Sequence, residues 1–204
     1  ANPDPPVFPG QEDSTWTKDE RTGQYYLHHF RSHQPDLNIA HPQVQAQIER
    51  NLGLWLELGI SGFRIDAVPY LFSGADQHSS ERPGTHYDGA EHLRGIARFV
   101  TRRMGETMLL GEVNLPHEQQ LEWFAADGKA AGLQVQFDFV SMQQLFLSLA
   151  RKDARPLAGA LRDRPDLPPT AQWANFVRNH DELTLDKLAP DELEEVFEAF
   201  APDE

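Results

Sequence analysis

The chain has 204 residues, of which 18 are Lys or Arg and 32 are Asp or Glu, so its formal net charge is −14. The absence of cysteine excludes disulfide scaffolds, thiolate metal sites and cysteine nucleophiles, and the negative charge disfavours nucleic acid as a partner. No stretch approaches the roughly 18 consecutive apolar residues of a membrane-spanning helix, and the first residues lack the pattern of a signal peptide, so no membrane partner and a cytoplasmic location are expected.

The first part of the chain is rich in proline, glycine, histidine and aromatic residues. Residues 1–41 are therefore predicted to be irregular but ordered, with one short strand near 24–28, because disordered segments are poor in aromatic residues. From Pro42 apolar residues recur at helical spacing, and Gly59 marks the end of the predicted helix. The apolar run 62–68 then predicts a buried strand.

Helices and strands alternate over the remainder of the chain. Further strands are predicted over 108–113, 133–140 and 174–178, and further helices over 89–104, 117–126, 141–151, 154–163 and 190–200. An alternation roughly every 30–45 residues is typical of βα units with a parallel sheet, and it favours part of a (β/α) barrel. A doubly wound sheet is the alternative, which is weakened because no Gly-x-Gly-x-x-Gly turn follows a strand.

The predicted strands end in charged or polar residues. Asp66, Glu112 and Asp138 stand at or near the ends of three of them, and His180 and Asp181 follow the fourth. The carboxyl ends of the strands form the catalytic face of a parallel barrel. A site is therefore expected at this end of the sheet.

Asp66 and Glu112 lie on neighbouring predicted strands. Glycoside hydrolysis needs one ionised carboxylate and one protonated carboxyl on either side of the scissile bond, about 5–5.5 Å apart in retaining enzymes. Arg64 precedes Asp66 by two positions, so both side chains point to the same side of the strand, where a guanidinium would hold Asp66 ionised. A structural ion pair at a strand end is the alternative interpretation. His180 and Asp181 likewise suit either a sugar-binding pair or an ordinary turn.

Together these segments resemble the α-amylase family, glycoside hydrolase family 13. Residues 62–68 resemble its fourth-strand segment, 110–114 its fifth-strand segment and 176–182 its seventh-strand segment. The resemblance implies that Asp66 is the nucleophile and Glu112 the acid/base. It also implies that Arg64, His180 and the third catalytic carboxylate, Asp181, bind the sugar and stabilise the transition state.

Other segments are most similar to those members of the family that rearrange maltose into trehalose. These segments are 32–38, 66–72, 171–173 and 178–185. The resemblance implies a retaining glucosyl transfer on α-glucosides such as maltose or trehalose, with no cofactor required for the chemistry. A hydrolytic α-glucosidase or α-amylase is the nearest alternative, and a non-catalytic sugar-binding relative is the next.

The chain also departs from the family pattern. The first conserved segment, an aspartate followed by an Asn-His pair at the third strand, is absent. Residues 1–41 resemble the tail of the irregular excursion called domain B, and 42–204 a partial TIM (β/α)8 barrel of roughly strands four to seven. The two open sheet edges of such a piece favour a homo-oligomer.

A structural calcium ion is a further implication of the resemblance. Asp36 and the backbone carbonyls of Tyr70 and Leu71 match ligands of that site in relatives. Ser73 stands where a glutamate ligand is expected, so weak binding is predicted.

Overall fold

The computed structural model describes residues 10–71, 88–124, 132–181 and 183–201. The described residues form two compact units, one made of residues 10–51, 69–71 and 88–89, the other of 52–68, 90–124, 132–181 and 183–201. The predicted boundary between residues 41 and 42 stays a prediction.

The first unit contains a small antiparallel hairpin. Strand β1, Trp16–Lys18, pairs with β2, Tyr25–Leu27, in a register that places Trp16 opposite Leu27. The strand predicted near 24–28 is therefore present, whereas its partner β1 was not among the predicted elements.

Helix α1, Pro42–Glu57, begins at the predicted proline. Gly59 follows it with a φ of +93°, the left-handed conformation that commonly ends a helix and favours glycine. The helix predicted from Pro42 is thus confirmed.

The second unit contains a four-stranded parallel sheet in the order β3-β4-β5-β6. Its strands are β3, Gly62–Ile65; β4, Met108–Gly111; β5, Val135–Phe137; and β6, Gln172–Ala174. The helices that follow α1 along the chain are α2, Val68–Leu71; α3, Gly89–Arg103; α4, His117–Gln120; α5, Phe139–Arg151; α6, Arg155–Arg162; and α7, Pro190–Phe200. Parallel neighbours in sequential order, joined by helical crossovers, confirm the predicted partial (β/α) barrel.

One predicted strand is shorter than expected. The strand predicted over 133–140 ends at Phe137 because Asp138 caps the N-terminus of α5, where its carboxylate accepts a hydrogen bond from the Ser141 N–H at 2.8 Å. Aspartate is a preferred residue at this position because it pairs a backbone N–H that the helix leaves unpaired. The prediction of strand at 138–140 is therefore wrong.

A second predicted strand lies earlier than expected. The strand predicted over 174–178 is instead β6, Gln172–Ala174, which pairs Trp173 with Gln136. The apolar side chain that suggested a longer strand, Phe176, packs edge-on against the rings of Phe137 and Phe139, with centroids 5.1 and 5.0 Å away. The apolar run there therefore reflects an aromatic cluster rather than a strand.

The helix predicted over 117–126 is broken. It comprises α4 and a 3-10 turn, Leu121–Trp123, while residues 125 and 126 lie outside the described residues. In the described parts of the chain, no helix combines the length and the apolar character needed to cross a membrane.

Asp138 holds several elements together at the carboxyl end of the sheet. Its fully buried carboxylate accepts a hydrogen bond from His117 Nε2 at 2.9 Å and lies 2.5 Å from a guanidinium nitrogen of Arg164. Burial raises the pKa of Asp138, but the hydrogen bonds from His117 and Ser141 outweigh burial and hold the pKa at about 2. A charged Asp138 therefore joins β5 to α4, to α5 and to the segment before β6.

The close approach of β3 and β4 at Gly62 generates a stability prediction. A Cβ atom at position 62 would lie 2.7 Å from the backbone oxygen of Met108, which cannot move without disturbing the ladder. We expect Gly62→Ala to lower the free energy of unfolding by about 1–3 kcal/mol, measured by urea denaturation. Gly95→Ala is the matched control, because its nearest neighbour is 3.9 Å away and alanine favours the helix by up to about 1 kcal/mol. Equal effects of the two substitutions would contradict the close approach.

Candidate active site

Two carboxylates emerge side by side from the first two strands of the parallel sheet. Strands β3 and β4 pair Ile65 with Gly111, so Asp66 and Glu112 are the first residues after two strands in register. Arg64 lies between them: one of its terminal nitrogens is 2.5 Å from Asp66 Oδ1, and the other donates a hydrogen bond to Glu112 Oε2. The structure therefore brings together the three residues that the sequence predicts at this point.

Backbone contacts fix Glu112 against the end of β3. The Glu112 N–H donates to the carbonyl of Ile65 at 3.0 Å, and the Val68 N–H donates to the carbonyl of Glu112 at 3.0 Å. Between these contacts, Ala67 has a φ of +42°, and its backbone N–H acts to lower the pKa of the Glu112 carboxyl group. A left-handed residue other than glycine carries a strain of about 1–2 kcal/mol, which strand ends and active sites commonly retain.

Ala67 is a contributor that the sequence does not reveal. Alanine carries no functional group, so only its backbone N–H takes part in the site. The one sequence signal nearby is Pro69, which ends the strand pattern without indicating the direction of the N–H that precedes it.

The two carboxyl groups have different surroundings. The Glu112 side chain is 19% exposed, whereas that of Asp66 is 72% exposed. Burial and the hydrogen bond with Asp66 raise the pKa of Glu112 to about 7, against the opposing charge of Arg64. Glu112 can therefore carry a proton near neutral pH and share it with the neighbouring carboxylate.

His180 and Asp181 lie in the irregular segment after β6. Their side chains are 72% and 46% exposed, with His180 Nε2 3.4 Å from Asp181 Oδ2. The Asp181 N–H donates to the side-chain oxygen of Asn179 at 3.2 Å, which makes a local turn. They follow the end of β6 by six and seven residues, and β5 separates β6 from β4 in the sheet. Their role in the site stays a prediction.

The residues predicted to bind calcium belong to the first unit. One oxygen of Asp36 lies 2.5 Å from His29 Nδ1 and also accepts the His29 N–H at 3.0 Å, while the ring of Tyr70 packs 6.0 Å from that of His29. Calcium takes six to eight oxygen ligands. Among the described residues no group of three or more acidic or histidine side chains could hold a metal ion, and Ser73 lies outside these residues. The side chains of Asp36 and its neighbours thus fit calcium only in part, and the ion stays a prediction.

Three comparisons place the chain among known proteins. A family model described as the alpha-amylase catalytic domain matches residues 6–193. The trehalose synthase of Thermus thermophilus is 38% identical over 97% of this chain and 20% of its own length, and the trehalose synthase/amylase of Mycolicibacterium smegmatis is 36% identical over 97% and 33%. The crystal structure of the alpha-amylase from H. orenii shares the fold, with a TM-score of 0.59 at 21% identity over 82% of this chain and 32% of its own.

The chain therefore spans between a fifth and a third of the length of these curated relatives. The family match nevertheless covers most of this chain, and it includes Arg64, Asp66, Glu112, His180 and Asp181. The parallel sheet and the paired carboxylates at its carboxyl end agree with that match. The chain belongs to the family of alpha-amylase catalytic domains.

Proposed function

We propose that the chain carries the machinery of a retaining enzyme that acts on the α-glucosidic bond of maltose and related α-glucosides. The observation that carries the proposal is the position of Arg64 between Asp66 and Glu112, with the pKa of Glu112 raised to about 7. A pair of carboxyl groups whose environments give them different protonation states is what a double displacement requires.

In the first half of the reaction, Asp66 is the nucleophile. A carboxylate oxygen of Asp66 forms a bond to the anomeric carbon of the glucosyl group as the bond from that carbon to the glycosidic oxygen breaks. The proton of Glu112 moves to the departing oxygen, so that neutral glucose leaves and Glu112 becomes a carboxylate. The product of this step is a glucosyl ester of Asp66.

In the second half, Glu112 is the base. Its carboxylate takes the proton of an acceptor hydroxyl while the acceptor oxygen bonds to the anomeric carbon and releases Asp66. If the acceptor is the 1-hydroxyl of the released glucose, the product is trehalose, and if it is water, the product is glucose. Two inversions at one carbon retain its configuration.

Exposure supports this division of roles between the two carboxyl groups. Asp66 is the more open group and faces a guanidinium nitrogen of Arg64 at 2.5 Å, which suits an ionised nucleophile. Glu112 is the more buried group and retains a proton to a higher pH, which suits an acid. His180 and Asp181 are proposed to hold the hydroxyl groups of the transferred glucose and to bind more strongly as charge develops.

Transfer to glucose is favoured over hydrolysis as the main activity because two similar relatives bear the name trehalose synthase. The name of one of them also includes amylase, so hydrolysis is the second candidate function for the same residues. Product analysis after incubation with maltose separates the two, because trehalose forms only by transfer.

A covalent label tests the nucleophile directly. We expect incubation with 5-fluoro-α-glucosyl fluoride to add one fluoroglucosyl group to the peptide that contains Asp66, detected by intact mass and peptide mapping. The fluoride leaves without a proton, and the ring fluorine slows the release of the ester. Asp66→Asn should give no adduct, while Asp153→Asn, a change to a carboxylate that pairs with Arg155 after α5, should label as the parent chain does. Labelling of a different residue would overturn the assignment of Asp66.

The acid role of Glu112 predicts a dependence on the leaving group. We expect Glu112→Gln to lower kcat/KM for maltose by about 100-fold or more, because the glucose oxygen leaves poorly without a proton. The first step with α-glucosyl fluoride should lose far less, because fluoride needs no proton, and the release of fluoride in single turnover measures that step. An equal loss on both substrates would remove Glu112 from the acid role.

The raised pKa of Glu112 predicts the pH profile. We expect kcat/KM for maltose to fall as the pH rises through about 7, because the deprotonated side chain cannot protonate the leaving oxygen. The carboxyl carbon of Glu112, followed by NMR without substrate, should titrate near the same pH. In Asp66→Asn its midpoint should move lower, because the hydrogen bond and the charge of Asp66 both raise the pKa of Glu112. A parent midpoint at about 4.3, the ordinary value for glutamate, would contradict the coupling.

A further inference from the structure

Asp186 joins two segments that no strand pairing brings together. Its Oδ1 atom accepts a hydrogen bond from the side-chain amide of Gln143 at 3.0 Å and another from that of Asn114 at 3.4 Å. Its second oxygen pairs with the ammonium group of Lys187. The side chain of Asp186 therefore contacts the segment that follows β4, helix α5 and the next residue of its own segment.

Gln143 binds both Asp186 and the backbone of the next residue, Lys187. It is fully buried on α5, and its side-chain oxygen accepts the backbone N–H of Lys187 at 2.7 Å while its NH₂ group donates to Asp186. Both functional groups of a buried amide are thus paired, which fixes the side chain in one orientation. Residues 186 and 187 are consequently held to α5 by two hydrogen bonds from one side chain.

Apolar packing holds the same segment on either side of Asp186. Leu185 and Leu188 are buried in a cluster with Leu147 of α5 and Val196 of α7. With two flanking leucines anchored, the backbone of Asp186 is held in place, and its side chain, 48% exposed, stays within reach of its partners.

The contacts of Asp186 with Asn114 and Gln143, here called the junction, matter for the site because of where Asn114 lies. Asn114 follows Glu112 by two residues, and Asp186 follows Asp181 by five. Strands β4 and β6 are not neighbours, because β5 lies between them. Hydrogen bonds between strands therefore do not directly set the distance between the segment that follows β4 and the segment that follows β6. The hydrogen bond from Asn114 to Asp186 crosses that gap.

We propose that Asp186 is a positioning residue that sets the distance between Glu112 and the His180–Asp181 pair. It touches neither sugar nor reacting atoms, and its catalytic consequence rests on the proposed function. What matters is the oxygen that accepts from Asn114 and Gln143, not the charge of Asp186. An asparagine at this position can present the same oxygen, whereas an alanine cannot.

Hydrogen exchange without substrate tests the junction itself. In Asp186→Ala, we expect peptides covering 112–116 and 176–181 to exchange faster together, by about fivefold, the factor that one hydrogen bond of ordinary strength carries. Asp186→Asn should exchange nearly as the parent chain does. Asp153→Ala is the matched control, because Asp153 also accepts a backbone N–H, from Arg155 at 3.0 Å, and pairs with that arginine, yet stands in the exposed turn between α5 and α6. A response confined to 176–181, or an equal response in the control, would overturn the proposal.

Turnover tests the consequence for the site. In Asp186→Ala, kcat for maltose should fall by about tenfold with KM changed less than about twofold, because a misplaced His180–Asp181 pair loses contacts made mainly in the transition state. Asp186→Asn should recover most of kcat, which a role for the charge would not allow. A loss in KM alone, or an equal loss in Asp186→Asn, would overturn the proposal. If the parent chain shows no turnover, the proposed function is what fails, and the exchange result alone decides the junction.

Discussion

The site depends on the contacts of the Arg64 guanidinium with two carboxyl groups, those of Asp66 and Glu112. Strand register places Asp66 and Glu112 next to one another, and two ionised carboxylates at such a position repel. Arg64 contacts both of them, and its positive charge offsets that repulsion, while burial and the hydrogen bond with Asp66 raise the pKa of Glu112. The pairing of Ile65 with Gly111 and the turn at Ala67 then serve to keep both carboxyl groups within reach of this one cation.

The sheet beneath the site is built from short strands, so side chains carry much of the positioning. Strands β5 and β6 have three residues each, which leaves few ladder hydrogen bonds to fix their carboxyl ends. Buried polar groups supply the missing contacts: Asp138 binds His117 and Arg164, and Gln143 binds Asp186. Such contacts specify one arrangement only when each group is paired, which makes them sensitive to single substitutions.

The sequence predicted the features that depend on local signals. Helix α1 follows from Pro42 and Gly59, and the adjacency of Asp66 and Glu112 follows from the parallel pattern. The predicted end of β5 was wrong because Asp138, which was placed inside the strand, caps helix α5 instead. The predicted position of β6 was wrong because Phe176, which was placed inside the strand, belongs to an aromatic cluster.

The connections made by Asp186 illustrate what local patterns omit. Its partners Gln143 and Asn114 lie 43 and 72 residues away in the chain, and no periodicity links positions at such separations. They become visible only when the order of the strands has placed α5 and the end of β4 in the same part of the unit. Because Asp66 is exposed, its ion pair with Arg64 is open to water and by itself contributes little stability. In the proposed mechanism a bound glucosyl group covers that pair, lowers the local dielectric and strengthens the field of Arg64 where the ester forms.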